Sequence, residues 1–256
     1  TMTDIIVAKH FFRYPIKSIS REELTTLSLS ENKAIKFDRK WALVHENSSF
    51  DPDLNEWQPC GKFLRGSILP SLSAVNSRKI EEENKYEFSH PDLKPIFLDL
   101  DKEKDRETFV TWIKPICSDD LPKPTKLVNV PDTALTDTPF QSISINSLDS
   151  LEDLSEKAGM NLNLGRFRGN IWVRTGKPWA EFEWIDKVII IKKVKLKVIM
   201  PIERCNATKT DPNTGKQDCD TLSTLSKNYG HHDFGVYCKV IKSGIISQGD
   251  EIKVIE

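Results

Sequence analysis

Residues 188–220 read V-I-I-I-K-K-V-K-L-K-V-I-M-P-I-E-R-C-N-A-T-K-T-D-P-N-T-G-K-Q-D-C-D, and this stretch organises the rest of the chain. Val188 to Ile199 is β-branched, with Lys192, Lys193, Lys195 and Lys197 set among apolar residues, the pattern of a strand with one solvated face. The strand is expected to break at Pro201, present Arg204 and Cys205, and turn through Asp211-Pro212-Asn213-Thr214-Gly215. Proline after Asp211 presets φ, and Gly215 takes the left-handed conformation that closes such a turn. A thiol where a strand gives way to a loop is well placed for chemistry. The competing reading of any single cysteine is a buried packing residue.

Working outward, 256 residues suffice for one large domain or two closely packed ones. The 37 basic and 38 acidic residues nearly cancel, which argues against a nucleic-acid binder driven by phosphate attraction. Five cysteines is an odd count, and no C-x-x-C or H-E-x-x-H appears, so neither a disulfide framework nor a structural zinc site is expected. No run of about 18 uncharged apolar residues and no apolar leader segment occurs, so the expectation is a cytoplasmic protein without a membrane span.

Ile5 to Phe12 reads as a strand stopped at Tyr14-Pro15, followed by Ile16-Lys17-Ser18. Ala34 to His45 reads as a second strand, and Ile68 to Val75, Lys85 to Phe88 and Pro95 to Leu98 as short ones. Many short strands joined by turns suggest a barrel or sandwich. Asp105 to Ile116 is helical in pattern. The prolines of L-P-K-P-T-K mark the expected boundary between a unit over residues 3–120 and another over 121–256. Pro139 to Ile145 reads as a strand, and Asn146-Ser147 as the cap of a helix ended by Gly159. Further strands are expected at Ile171 to Val173 and in a terminal hairpin from Phe234.

The segments Y-P-I-K-S, F-D-R-K-W-A-L-V, R-F-R-G-N-I, R-C-x-x-T-x-x-D-P-x-T-G, T-L-S-x-L, F-G-V-Y and G-x-I-x-x-G-D-x-I occur in that order. Together they resemble the MOSC family, and more narrowly its branch with an N-terminal β-barrel extension, which includes the mitochondrial amidoxime-reducing component and bacterial relatives. The resemblance implies a mainly β (α+β) fold: an antiparallel MOSC barrel with a few short helices, preceded by a smaller β-barrel unit.

It also implies a molybdenum cofactor, whose pterin carries a dithiolene and a phosphate. Cys205 stands at the family's metal-ligand position, where a soft thiolate suits a metal already bound by sulfur. The positions matching the family's cofactor contacts are Lys17, Ser18, Arg39, Arg168, Asn170, Arg204 and Tyr237. Ser144 and Ser147 lie near a further contact segment. Two residues depart from the pattern. Glu203 stands before R-C where relatives carry serine, and in an extended backbone it shares a face with Cys205. Gly169 stands where proline is usual.

Cys60, Cys117 and Cys238 read as structural, and Cys219 as a packing cysteine. The function implied is reduction of small N-hydroxylated compounds by a monomer. Since no ferredoxin-type cysteine cluster and no G-x-G-x-x-G after a strand occurs, electrons are expected from a separate flavin, haem or iron–sulfur protein. The alternative is a sulfur or cofactor carrier without turnover.

Overall fold

The computed structural model describes residues 5–19 and 21–255, so the first two residues of the expected 3–120 unit lie outside it. Alternation along Val194–Glu203 buries Val194, Leu196, Val198 and Ile202 on one face. The strand pairs antiparallel with Val188–Ile191 on one side and Asp233–Lys242 on the other. Lys192 has a positive φ and makes the turn, so the expected single long strand is a hairpin. The break expected at Pro201 comes instead after Glu203: Pro201 pairs with Val236 beside an irregularity in register, where a missing N–H is tolerated.

Seven strands close into a ring. From Asp233–Lys242 the pairing passes to Ile143–Ser147, Ile171–Arg174 and Ile6–Arg13, then to Glu251–Ile255, Val188–Ile191 and back to Val194–Glu203. Every pair is antiparallel except Ile143–Ser147 with Ile171–Arg174. A parallel pair needs a crossover rather than a hairpin, and the helix Leu148–Ala158 supplies it. Ser147 caps that helix by accepting from Ser150 N, and Gly159 ends it in the left-handed conformation, both as the sequence predicts. The barrel is filled by Phe11, Ile145, Val173, Ile189, Leu196, Val236 and Val240, all fully buried. Cys238 lies among them as the structural thiol expected.

The earlier half of the chain builds a second core. Trp41–His45 pairs with Pro124–Asn129, and Asn76–Ile80, Lys85–His90 and Leu93–Leu98 form a three-stranded sheet. The helix Glu103–Ile113 lays Phe109 and Ile113 against Trp41, Leu43 and Phe88. The strand expected from Ala34 begins only at Trp41, because Phe37 and Arg39 take positive φ in a turn. The strand expected over Ile68 to Val75 is a short 3-10 helix, Pro70–Ala74, with its proline at the first position. The terminal hairpin is also replaced: Gly244–Ser247 pairs with Thr26–Leu29, and Glu251–Ile255 enters the ring. Among the described residues no helix is long and apolar enough to cross a membrane.

Glu181 is fully buried beside this framework, and its carboxylate accepts from Ser150 Oγ at 2.8 and 3.1 Å. Burial raises its pKa to about 7, against the opposing hydrogen bonds. The folded state therefore holds a proton that the unfolded state releases between the ordinary glutamate pKa and pH 7, and stability falls as pH rises through that window. At about 1.4 kcal/mol per unit the loss is about 3 kcal/mol. Glu181→Gln, which keeps an acceptor for Ser150, should escape it. Denaturation at pH 4 and pH 8 should show the variant gaining stability relative to the parent at the higher pH. A pH-independent difference would contradict this assignment.

Candidate active site

Three turns bring cations to one side of the barrel. Lys17 and Ser18 follow the strand Ile6–Arg13, Arg39 precedes Trp41–His45, and Arg168 ends the short 3-10 helix Leu164–Phe167. Ser18, Arg39 and Arg168 have φ of 64°, 46° and 48°. A non-glycine residue in that region costs about 1–2 kcal/mol, and such strain gathers where a side chain must be held in one place.

Tyr14 is what these turns share. It is fully buried, its hydroxyl donates to Gly169 O at 3.0 Å, and the guanidinium carbons of Arg39 and Arg168 each lie 4.3 Å from its ring centroid. The buried Asp38 accepts from Tyr14 N and from Arg39 Nη1, while Arg39 Nη2 donates to Arg168 O. Burial and the neighbouring Arg39 push Arg168 down to about 10. Burial pushes the Tyr14 phenol up to about 12. Gly169 packs tightly: an added Cβ would lie 2.0 Å from Asn146 Nδ2.

The strand Val194–Glu203 delivers the remaining parts. Arg204 donates from Nε to Phe234 O at 2.8 Å, from Nη1 to Phe167 O at 2.8 Å and from Nη2 to Asn146 Oδ1 at 2.7 Å. All three acceptors are neutral, and burial lowers its pKa to about 10. Cys205 follows in extended backbone with its side chain exposed, and its carbonyl accepts from Thr208 N and Oγ1. The short hairpin Thr210–Asp211 with Lys216–Gln217 comes next, closed by Gly215 at φ 71° as its sequence predicts.

One cavity of about 580 Å³ is lined by Cys205 and by all seven expected contact residues: Lys17, Ser18, Arg39, Arg168, Asn170, Arg204 and Tyr237. Ser144 also lines it; Ser147 is the helix cap and does not. Asn170 is largely committed within the protein, accepting from Ser144 N and donating to Phe12 O. Lys17 Nζ donates to Leu135 O and to Asp137 Oδ1, and also interacts with the Cys60 thiol. Asp137 is exposed, and although crowding by its neighbours works against its charge, Lys17 holds its pKa below the ordinary carboxylate range.

Sequence reasoning missed Arg65, Arg166 and Cys60, which line the same cavity. Cys60 donates from Sγ to Asp137 at 3.3 Å rather than filling a core. Arg166 opens the quoted R-F-R-G-N-I, so its motif was visible; Arg65 comes from a region where no motif was recognised.

A phosphate-bearing pterin fits this lining. Six cations, Lys17, Arg39, Arg65, Arg166, Arg168 and Arg204, face two carboxylates, Asp137 and Glu203. Lys17, Arg39, Arg168 and Arg204 suffice as donors for the phosphate, and the Nε atoms of Arg65 and Arg166, buried with no hydrogen-bond partner among the described residues, leave donors over for a further anion. The volume is in the range of small-molecule sites, and an exposed thiol suits a soft metal. Glu203 is the exception, sharing the cavity with Cys205 as the extended backbone implies.

Comparison with known families matches the MOSC domain over residues 132–253. Residues 132–253 are a MOSC domain. That span contains Arg166, Arg168, Asn170, Arg204, Cys205 and Tyr237, whereas Lys17, Ser18, Arg39 and Arg65 reach the cavity from outside it. Among curated relatives, molybdenum cofactor sulfurase 3 of Aedes aegypti is 20% identical over 263 residues, covering 88% of this chain and 32% of its own. Mitochondrial amidoxime reducing component 2 of Bos taurus is 32% identical over 123 residues, covering 43% of this chain and 36% of its own. The chain thus spans about a third of the length of these relatives. The solved YUAD protein from Bacillus subtilis aligns over 99% of this chain and 97% of that one, with 14% identity and a TM-score of 0.47.

Proposed function

We propose that the protein binds a molybdenum cofactor in the Cys205 cavity and reduces small N-hydroxylated compounds with electrons from a separate flavin, haem or iron–sulfur protein. The observation that carries the reading is an exposed thiol opening into a cavity lined by six cations. When bound, the cofactor supplies a two-electron redox centre. For an amidoxime the balance is RC(NH2)=N–OH plus two electrons and two protons giving RC(NH2)=NH and water. Cys205, as thiolate, would hold the metal. Arg39, Arg168 and Arg204, with Lys17 and Ser18, would hold the phosphate and pterin. Tyr237 contributes a wall hydroxyl, raised by burial to about 12 and so a donor at neutral pH. The two units, 3–120 and 121–256, are proposed as two walls of one site. A monomer in the cytoplasm belongs to the same proposal.

The test is production in a host that makes molybdopterin, followed by metal analysis and benzamidoxime reduction with a chemical reductant. Near-stoichiometric molybdenum and turnover are expected. The likeness to sulfurases, which covers 88% of the chain, favours a second reading as a carrier of sulfur or cofactor. Cyanide-releasable sulfur on Cys205 in protein lacking molybdenum would put that reading ahead. A further expected result concerns Glu203. Removing a carboxylate from an anion site by Glu203→Ser should raise the pterin retained through gel filtration, by about 1 kcal/mol in affinity, the scale of an exposed charge pair. Lower retention in the variant would give Glu203 a supporting role instead.

A further inference from the structure

The cavity has a cationic region that the cofactor assignments leave unused, beside Cys205 itself. Arg65 sits at the head of a turn in which its own carbonyl accepts from Ile68 N and Leu69 N. Gly66, next to it, packs toward Ala207: a Cβ there would lie 3.7 Å from the Ala207 Cβ. Ala207 and Thr208 belong to the short 3-10 helix that begins directly after Cys205. Arg166 reaches this place from the other side, donating from Nη1 to Thr208 O at 3.4 Å and pairing with Asp218 at 2.6 Å. Arg65, Gly66, Arg166 and Thr208 therefore line the cavity together with Cys205 and Ala207, and neither Arg65 nor Arg166 packs on the Tyr14 ring.

Its electrostatics are unfinished. Arg65 makes no side-chain hydrogen bond or ion pair with any described residue, and its Nε is buried. Arg166 is 4% exposed, and its Nε is also buried without a partner. Buried guanidinium N–H groups rarely go unpaired, and an oxyanion is the ligand that matches their planar fork.

We propose that Arg65, backed by Arg166, is a substrate subsite for a carboxylate, so that the preferred N-hydroxylated compound carries a negative group. This rests on the reductase reading, and deepens it by naming a substrate class. The subsite adjoins the residues that follow Cys205, while among the cations assigned to the cofactor Arg39 and Arg168 gather around Tyr14, Lys17 is held by Asp137 and Arg204 by Asn146. Glu203 lines the same cavity and would repel a misdirected anion, which favours one orientation of the substrate.

The test uses the full chain loaded with cofactor and compares benzamidoxime with 4-carboxybenzamidoxime. Equilibrium dialysis without reductant reads binding independently of turnover. The carboxylated compound should bind about tenfold to a hundredfold tighter, the range of a charge-assisted hydrogen bond. In Arg65→Gln the ratio of the two affinities should fall to about one, and Arg65→Lys, which keeps the charge but not the fork, should give an intermediate ratio. Equal binding of the two compounds by the parent protein overturns the subsite. Loss of bound pterin in Arg65→Gln also overturns it, assigning the arginine to the cofactor's phosphate. A persistent preference with no reduction of either compound removes the reductase reading and leaves the subsite in place.

Discussion

Cys205→Ala, produced beside the parent in a molybdopterin-competent host, should lose benzamidoxime reduction by at least about a hundredfold, since even outer-shell partners of a metal centre are worth 10–100-fold. The residue is exposed and lines the cavity, and among the described residues its sulfur forms no disulfide. The Cys205 contacts that hold the loop are made by its backbone carbonyl, through Thr208, and an alanine keeps them. The variant should therefore fold and melt like the parent while its molybdenum content falls. Pterin retention should fall less than metal retention, because the cations that would grip the phosphate remain. Reduction at equal rates in both proteins would remove the thiol from the chemistry. Pterin lost in step with the metal would mean that Cys205, rather than the cations, anchors the cofactor.

Tyr14→Ala should be the most damaging change away from the thiol. Emptying a fully buried aromatic site costs about 3–5 kcal/mol. The same ring is the platform for Arg39 and Arg168, both 4.3 Å from its centroid. Without it both guanidiniums lose the ring face they pack on, and keep their bonds to Asp38 from Arg39 and to Ile16 O and Ile19 O from Arg168. Denaturant unfolding should show the stability loss, and pterin content a loss of cofactor. Tyr14→Phe separates the two roles. It gives up only the bond to Gly169 O, worth about 1 kcal/mol, and should keep its pterin. If the phenylalanine variant loses pterin as completely as the alanine variant, the hydroxyl and not the ring face organises the site.

What was readable in the sequence divides along physical lines. The alternation of Val194, Leu196 and Val198, the Ser147 cap, Gly159 and the Asp-Pro-Asn-Thr-Gly turn are local signals, and each forms as written. The expected contact residues line one cavity because they sit in short motifs whose order survives folding. Strand ends were less legible. Ala34 to Lys40 carries β-type residues, yet the positive φ of Phe37 and Arg39 is set by Tyr14 and Asp38, partners that no local pattern reveals. Gly244–Ser247 pairs with Thr26–Leu29, more than two hundred residues earlier, where a nearby turn suggested a hairpin. Arg65 was invisible for the same reason: its meaning comes from the cavity it shares with Arg166, Ala207 and Thr208, which the chain brings together only in three dimensions.

The ring of strands joins Ile6–Arg13 to Glu251–Ile255, so its seam lies between the earliest and the latest described strands. During synthesis, Lys17 and Arg39 emerge long before Arg204 and Cys205 can be placed opposite them. A pterin would therefore find no complete berth until Glu251–Ile255 has been made and has joined the ring. A truncation that removed Glu251–Ile255 would leave every cation and the thiol in the sequence, and would still unlatch the berth they form together.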